Sequence, residues 1–258
     1  MARRSLLRRV GVPVVIVLVV LALGLAVAVV ALSQPRPRAQ SGPAADELAR
    51  RIERAVDKDA WERTQAVRWF FGGRNRHLWD RKRMYDRVAW GNVTVYVNLT
   101  TRGGVVQKGG SWVTGDEQRK LLDKAYAAWI NDSYWLNPLT KLFDEGVTRK
   151  TVAQPDGSLA LEVSYGGVGL TPGDSYLWLL GPDGRPRGWQ MWVSILPVKG
   201  LFVAWDGWTQ LSTGAWVATE HKFQHLPMTL RLTEVAGAPT LSELEPGPDP
   251  FIRLESGG

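Results

Sequence analysis

From residue 44 the chain opens on a helical period. In ADELARRIERAVDKDAW, Leu48, Ile52, Ala55 and Val56 recur at i, i+4, i+7 and i+8, one apolar stripe with charges on the remaining faces. The period then shortens to two. Val67, Trp69 and Phe71 alternate in AVRWFFGGR, which Gly72-Gly73 ends. RMYDRVAW and NVTVYVNLT read as two more strands, the latter with Val93, Val95, Val97 and Leu99 on one face and Thr94, Tyr96 and Asn98 on the other. WGN (residues 90–92) supplies a tight turn between them. Thr114 with Glu117 fits a capping box, in which each side chain satisfies a free N–H at a helix start. Leu121, Leu122, Ala125 and Trp129 continue as a helical stripe, and Asn137-Pro138 breaks it before Leu139, Leu142 and Phe143. After Gly146 the pattern is strand-like to about residue 235. TRKTVAQ, LALEVSYG, SYLWLLG, RGWQMWVSI, GLFVAWDGWTQL, AWVATEHKF and MTLRLTEV are the segments, and turn signals such as PDG, GPDG and STG separate several of them.

This order predicts an α+β domain: a large curved antiparallel sheet, an unclosed half-barrel, with helices packed on its concave side. One stretch departs from ordinary alternation. GWQMWVSILPVKGLFVAWDGW (residues 188–208) holds four tryptophans and is apolar on both faces. A long antiparallel sheet twists and curls, so its concave side must be filled by helices or left as an apolar cavity.

Upstream, VGVPVVIVLVVLALGLAVAVVAL (residues 10–32) carries no charge, and as a helix it is long enough to cross a hydrocarbon core of about 30 Å. Arg3, Arg4, Arg8 and Arg9 precede it, which places residues 1–9 in the cytoplasm and the rest outside it. The apolar run exceeds that of a cleaved signal peptide, so we read a single-pass signal-anchor; cleavage after ALS (residues 31–33) would give a secreted form. SQPRPRAQSGPAA begins a Pro-rich linker, residues 33–43, expected to be flexible. Residues 44–240 form the extracytoplasmic domain, periplasmic or extracellular, and residues 241–258 a Pro/Gly-rich tail that wraps its surface.

Charge and composition narrow the function. The net charge is +7, but the four N-terminal arginines supply more than half of it. RNRHLWDRKR (residues 74–83) is read as a mixed surface strip, so no nucleic-acid partner is expected. Cysteine is absent, which removes disulfides, thiolate metal sites and a lipid-modified N-terminal cysteine. Thirteen tryptophans against six tyrosines and six phenylalanines favour core packing, an apolar ligand lining or a membrane interface.

Catalytic patterns are weak. His77 and Asp80 in HLWDR could form a base and its orienting acid, but no GxSxG elbow supplies a nucleophile. His221 and His225 lie four apart, about 13 Å along a strand, too far for one metal ion. Asp144 with Glu145, and Asp206 with Glu220, are the carboxylate pairs a glycosidase would need across a cleft. GGRNRHLW and GGVVQKGG match no nucleotide fingerprint. No cofactor, metal or catalytic residue is therefore expected.

The order of elements resembles the LolA/LolB-type lipoprotein carriers and lipid-binding proteins. The resemblance rests on the first helix ending at DAW, the strand VRWFF, the pair in RMYDRVAWGNVTVYVNL, the mid-chain helices, and the closing stretch MTLRLTEVAGAPTLSELEPGPDPF. It implies an unclosed barrel plugged by helices, with an apolar cavity that holds acyl chains. The expected function is thus a tethered, non-catalytic domain that binds a lipid or an acylated protein. Trp69, Phe71, Trp178, Trp192, Phe202, Trp205 and Trp208 are the candidate lining, chosen by strand alternation and size. A Trp-lined carbohydrate-binding or hydrolytic cleft, and an envelope assembly protein with a filled core, are the alternatives.

Overall fold

A computed structural model describes residues 2–166 and 173–255, with side chains from residue 17 onward. Helix α1 (Ala2–Leu32) is followed by α2 (Pro43–Ala55) and α3 (Lys58–Arg63). Next come β1 (Ala66–Phe71), β2 (Asn75–Asp80), β3 (Tyr85–Trp90), β4 (Val93–Asn98), β5 (Gly104–Lys108) and β6 (Ser111–Val113). Helix α4 (Gly115–Leu136) and a 3-10 turn (Pro138–Thr140) lead into the second half of the sheet. This contains β7 (Val147–Ala153), β8 (Leu159–Tyr165), β9 (Ser175–Leu180), β10 (Pro186–Trp192) and β11 (Leu201–Asp206). The short pair β12 (Thr209–Gln210) and β13 (Trp216–Val217) precedes β14 (Glu220–Phe223), β15 (Thr229–Ala238), α5 (Leu241–Leu244) and α6 (Ile252–Glu255).

Thirteen strands form one antiparallel sheet in the order β6-β5-β4-β3-β2-β1-β15-β14-β11-β10-β9-β8-β7. It is two meanders joined where the first strand meets the last, Ala66 opposite Ala238. Its ends, β6 and β7, do not pair, so the sheet is not closed into a barrel. The expected α+β class with a large unclosed antiparallel sheet holds.

Two local expectations need correction, the surface strip at residues 74–83 and the capping box at Thr114. Residues 75–80, read as part of a surface strip, are a strand registered against β1 and β3. GGVVQKGG gives β5 and the turn into β6, with Gly109 and Gly110 both at positive φ. Thr114 does occupy the N-cap of α4, but its side chain makes no capping bond. The WGN turn is present, with Trp90 opposite Val93 and Gly91 at φ 53°.

Helices lie over one face of the sheet. Leu122, Ala125 and Leu136 of α4 pack on Val67, Trp69, Val95 and Val97. Leu48, Ala49 and Ile52 of α2 pack in one core with Leu161, Trp178, Trp189 and Trp205. The other face is covered by the ends of the chain. Phe251 is fully buried against Leu78, Ala66 and Leu244, and Asp249 and Glu245 accept from Arg83 and Arg87. The tail therefore packs on the outer face of the β1–β4 half, as expected up to residue 255; residues 256–258 lie outside the described ones.

Residues 33–40 do the same for the second half. Arg36 donates to both oxygens of Glu162, each at 2.9 Å, and to Ser164 Oγ at 2.5 Å. Gln40 pairs with Thr151 on the β7 edge. The Trp192 indole donates to the Gln34 carbonyl at 2.9 Å. The segment read as a flexible linker is thus a strap lying on the sheet. It also explains part of residues 188–208: the inner face of β10 and β11 joins the core under the helices, and the outer side of β10 meets the strap through Gln190 and Trp192, while Phe202 and Ala204 on the outer side of β11 border an open groove.

Along α1 from residue 17, Val17 through Leu21 are all at least half exposed, as are Leu23, Leu25, Val27 and Val30, so this part of the helix is apolar and largely uncovered. Among the described residues no helix is long and apolar enough to cross a membrane. The expected span of residues 10–32 begins at residues 10–16, whose side chains lie outside those described.

Candidate functional site

The face of the sheet that carries the helices is not completely filled. A cavity of about 640 Å³ lies between the end of α4, the segment after it, and strands β7–β10 and β14. Pairing explains its wall. Tyr176 lies opposite Met191 and Val163, and Trp189 opposite Trp178 and Val203, so these side chains share the inward face. Tyr134 and Trp135, from the last turn of α4, close the cavity from above, and Val193 and Leu196 continue it past the end of β10.

Polar groups in this lining are few and specific. The Tyr134 hydroxyl donates to the Tyr165 hydroxyl at 3.1 Å, and the Tyr134 ring lies 5.2 Å from that of Tyr176. Burial pushes the Tyr134 phenol well above its ordinary value and Tyr165 up to about 12, so both stay neutral donors. Lys141 and Asp144 stand at the edge. Burial lowers the lysine against the pull of Asp144, and raises the aspartate against the pull of Lys141. The arrangement suits a mostly apolar guest with a polar end near Lys141 and the tyrosines.

None of the seven residues chosen from the sequence lines this cavity. Trp178 and Trp205 are fully buried beneath it, with ring centroids 4.9 Å apart, and both touch Trp189. Trp69 belongs to the core under α4, stacked on His77 at 4.3 Å. Phe71 borders a separate shallow groove with Trp90, Lys124 and Asp132. Trp192 and Phe202 point to the outer face, Trp192 under the strap and Phe202 over Gly188. Trp208 follows β11 and packs beside Trp205 at 6.4 Å. Trp189 and Trp192 are three apart on one strand, so they face opposite ways, and the choice by alternation and size took the outward one. Tyr165, Tyr176 and Trp189 reach the lining as diagonal neighbours on β8, β9 and β10, with ring centroids 6.0 and 4.6 Å apart, an arrangement that no local sequence pattern reports.

The titratable groups singled out earlier lie elsewhere. His77 does not pair with Asp80, which binds Arg83 at 2.6 Å. Instead its Nδ1 meets Asp86 at 2.8 Å and its Nε2 meets Asp132 at 3.0 Å, all three side chains buried. Burial alone would lower this histidine, but the two carboxylates overcome it and hold the imidazolium up to about 9. Burial likewise raises Asp86, with His77 opposing. The cluster clamps α4, through Asp132, to β2 and β3. His221 is enclosed between Trp205 and Trp135, and burial drives it down to about 3, a neutral core imidazole. His225 is exposed. Asp206 and Glu220 sit opposite one another at the end of β11 and β14, with Glu220 accepting from Arg231 at 3.3 Å. Asp144 and Glu145 do border the cavity. Among the described residues no group of three or more His, Asp or Glu is placed to hold a metal ion. No protein-family model matches the chain, and no curated protein does either.

Proposed function

We propose that this chain is a membrane-anchored, non-catalytic domain that holds a hydrophobic ligand in this cavity. Residues 10–32 cross the cytoplasmic membrane with the basic end inside, and the domain stands on the opposite side. The ligand is an acyl chain, free, in a lipid or on an acylated protein. This is the role that the resemblance to LolA/LolB-type carriers implies, with α1 in place of a lipid anchor. The observation that carries the reading is the cavity of about 640 Å³ walled by Tyr134, Trp135, Tyr176, Trp189, Met191 and Val193. Its lining is mostly apolar with a few converging polar groups, the usual character of a small-molecule site. The histidines speak for binding over chemistry: His77 is committed to two buried carboxylates and His221 is a neutral core residue, so neither reaches the cavity.

The test is a titration of the full chain in detergent with a pyrene-labelled fatty acid, beside Val193→Trp. The added indole displaces on the order of three methylenes of ligand. At about 0.8 kcal/mol per methylene this weakens binding by roughly fiftyfold. Saturable binding by the parent chain with that loss in V193W supports the reading. Binding that V193W leaves unchanged would place the ligand elsewhere.

A further inference from the structure

We propose that the cavity's rim, residues 193–199 and 226–228, rests in the outer leaflet of the membrane that α1 crosses, so that the ligand enters from the bilayer. The inference rests on the reading of the cavity as a site for hydrophobic ligands. It is carried by how α1 joins the domain. The Ser33 amide still donates to Val29 at 3.0 Å, continuing the helix. On that same residue, Ser33 Oγ accepts from the Lys199 amide at 3.1 Å, and the Gln34 amide donates to the Lys199 carbonyl at 2.8 Å. The chain thus has no slack between the end of α1 and the loop joining β10 to β11. If α1 spans a bilayer, this loop is at its surface.

The loop is built to present apolar groups there. The Lys199 ammonium donates to the carbonyls of Val193 and Leu196 at 2.6 and 2.9 Å, and the Ser194 amide donates to Asp174 at 2.8 Å. Its lysine charge is turned inward, onto the loop's own carbonyls. Ile195 is left outward and 73% exposed, the most exposed large apolar side chain described outside α1. Leu226 and Met228, in the turn between β14 and β15, are 44% and 47% exposed at the same end of the sheet. Ile195, Leu196 and Met228 also line the cavity, so its mouth and the exposed patch are one surface. A contiguous apolar rim beside a membrane helix matches a lipid surface, in which side chains of this kind are buried without cost to their hydration.

The absence of cysteine makes the test clean. The full chain carrying I195C, labelled with the environment-sensitive fluorophore NBD, is reconstituted into vesicles of phosphatidylcholine and phosphatidylglycerol. L159C is the control, because Leu159 is exposed at the far end of β8 from the cavity residue Tyr165. The expected result is blue-shifted emission at position 195, quenched by doxyl groups on the lipid chains and protected from aqueous iodide, with the opposite at 159. Iodide quenching at 195 equal to that at 159 overturns the proposal. In parallel, L226D, at an exposed rim residue outside the cavity lining, is expected to slow uptake of pyrene-labelled phospholipid from donor vesicles at least tenfold while final occupancy is unchanged. Uptake as fast as the parent's also overturns it. If the 195 label is buried in lipid but the parent chain takes up no probe, the rim stands and the cavity reading fails.

Discussion

Replacing His77 with Phe removes both N–H donors from a buried cluster while keeping an aromatic ring on the face of Trp69, where the imidazole stacks at 4.3 Å and 6°. The cost can be worked in two ways. Asp86 and Asp132 raise the histidine from 6.5 to about 9 in spite of burial. At 1.36 kcal/mol per pH unit that is about 3 kcal/mol of folding free energy. Independently, removing one partner of a buried ion pair costs about 3–5 kcal/mol, because the remaining charge is stranded. The folded-state pKa is raised, so the stabilisation is fully present below the unfolded value of 6.5 and is lost as pH rises through about 9. Guanidinium unfolding of the full chain in detergent, followed by tryptophan fluorescence, reads both numbers. H77F should lose about 3 kcal/mol near neutral pH, and the gap to the parent chain should shrink between about pH 7 and pH 9.5. A gap under about 1 kcal/mol, or one independent of pH, would refute the clamp. The clamp also matters for the cavity, since Asp132 lies one turn from Tyr134 and Trp135, so H77F should weaken ligand binding as well.

Other expectations follow from the covered outer face. Arg36→Ala leaves the nearly inaccessible Glu162 without its cation, so trypsin should cut at Arg38 faster than in the parent chain, while affinity for an acyl ligand is unchanged. Trp192→Ala should behave in the same way, since its indole holds Gln34 and not the cavity; a loss of binding as large as that of V193W would show that its assignment to the outer face is wrong. Phe251→Ala empties the centre of the tail's contact with Leu78 and Ala66, and should cost about 3–5 kcal/mol of stability, read as a lower Tm, with ligand binding intact.

The sheet was largely legible from period alone. Val67/Trp69/Phe71 and Val93/Val95/Val97 alternate as they pair, and every strand expected after Gly146 is present, though the stretches 200–211 and 215–223 each divide around the small β12–β13 pair. β2 was hidden because its polar ends, Asn75-Arg76 and Asp80, enclose the inward His77, whose partners come from residues 9 and 55 positions away. No local pattern reports such partners. The cavity lining was illegible for a related reason. Trp178, Trp189, Trp192 and Trp205 are equally large, and only register separates the wall of a cavity from the core beneath it and the face behind it. The strap was misread because Pro, Gln and Arg describe both a free tether and a segment bound through its own polar groups. Arg36 needs Glu162, which is 126 residues away, to tell the two apart.

The most direct test of ligand binding is native mass spectrometry of the full chain released from detergent micelles after purification from cells. The account predicts one bound molecule with the mass of an acyl-bearing lipid, retained by the parent chain and R36A and missing from V193W. A bare chain mass that persists after incubation with lipid vesicles would contradict it.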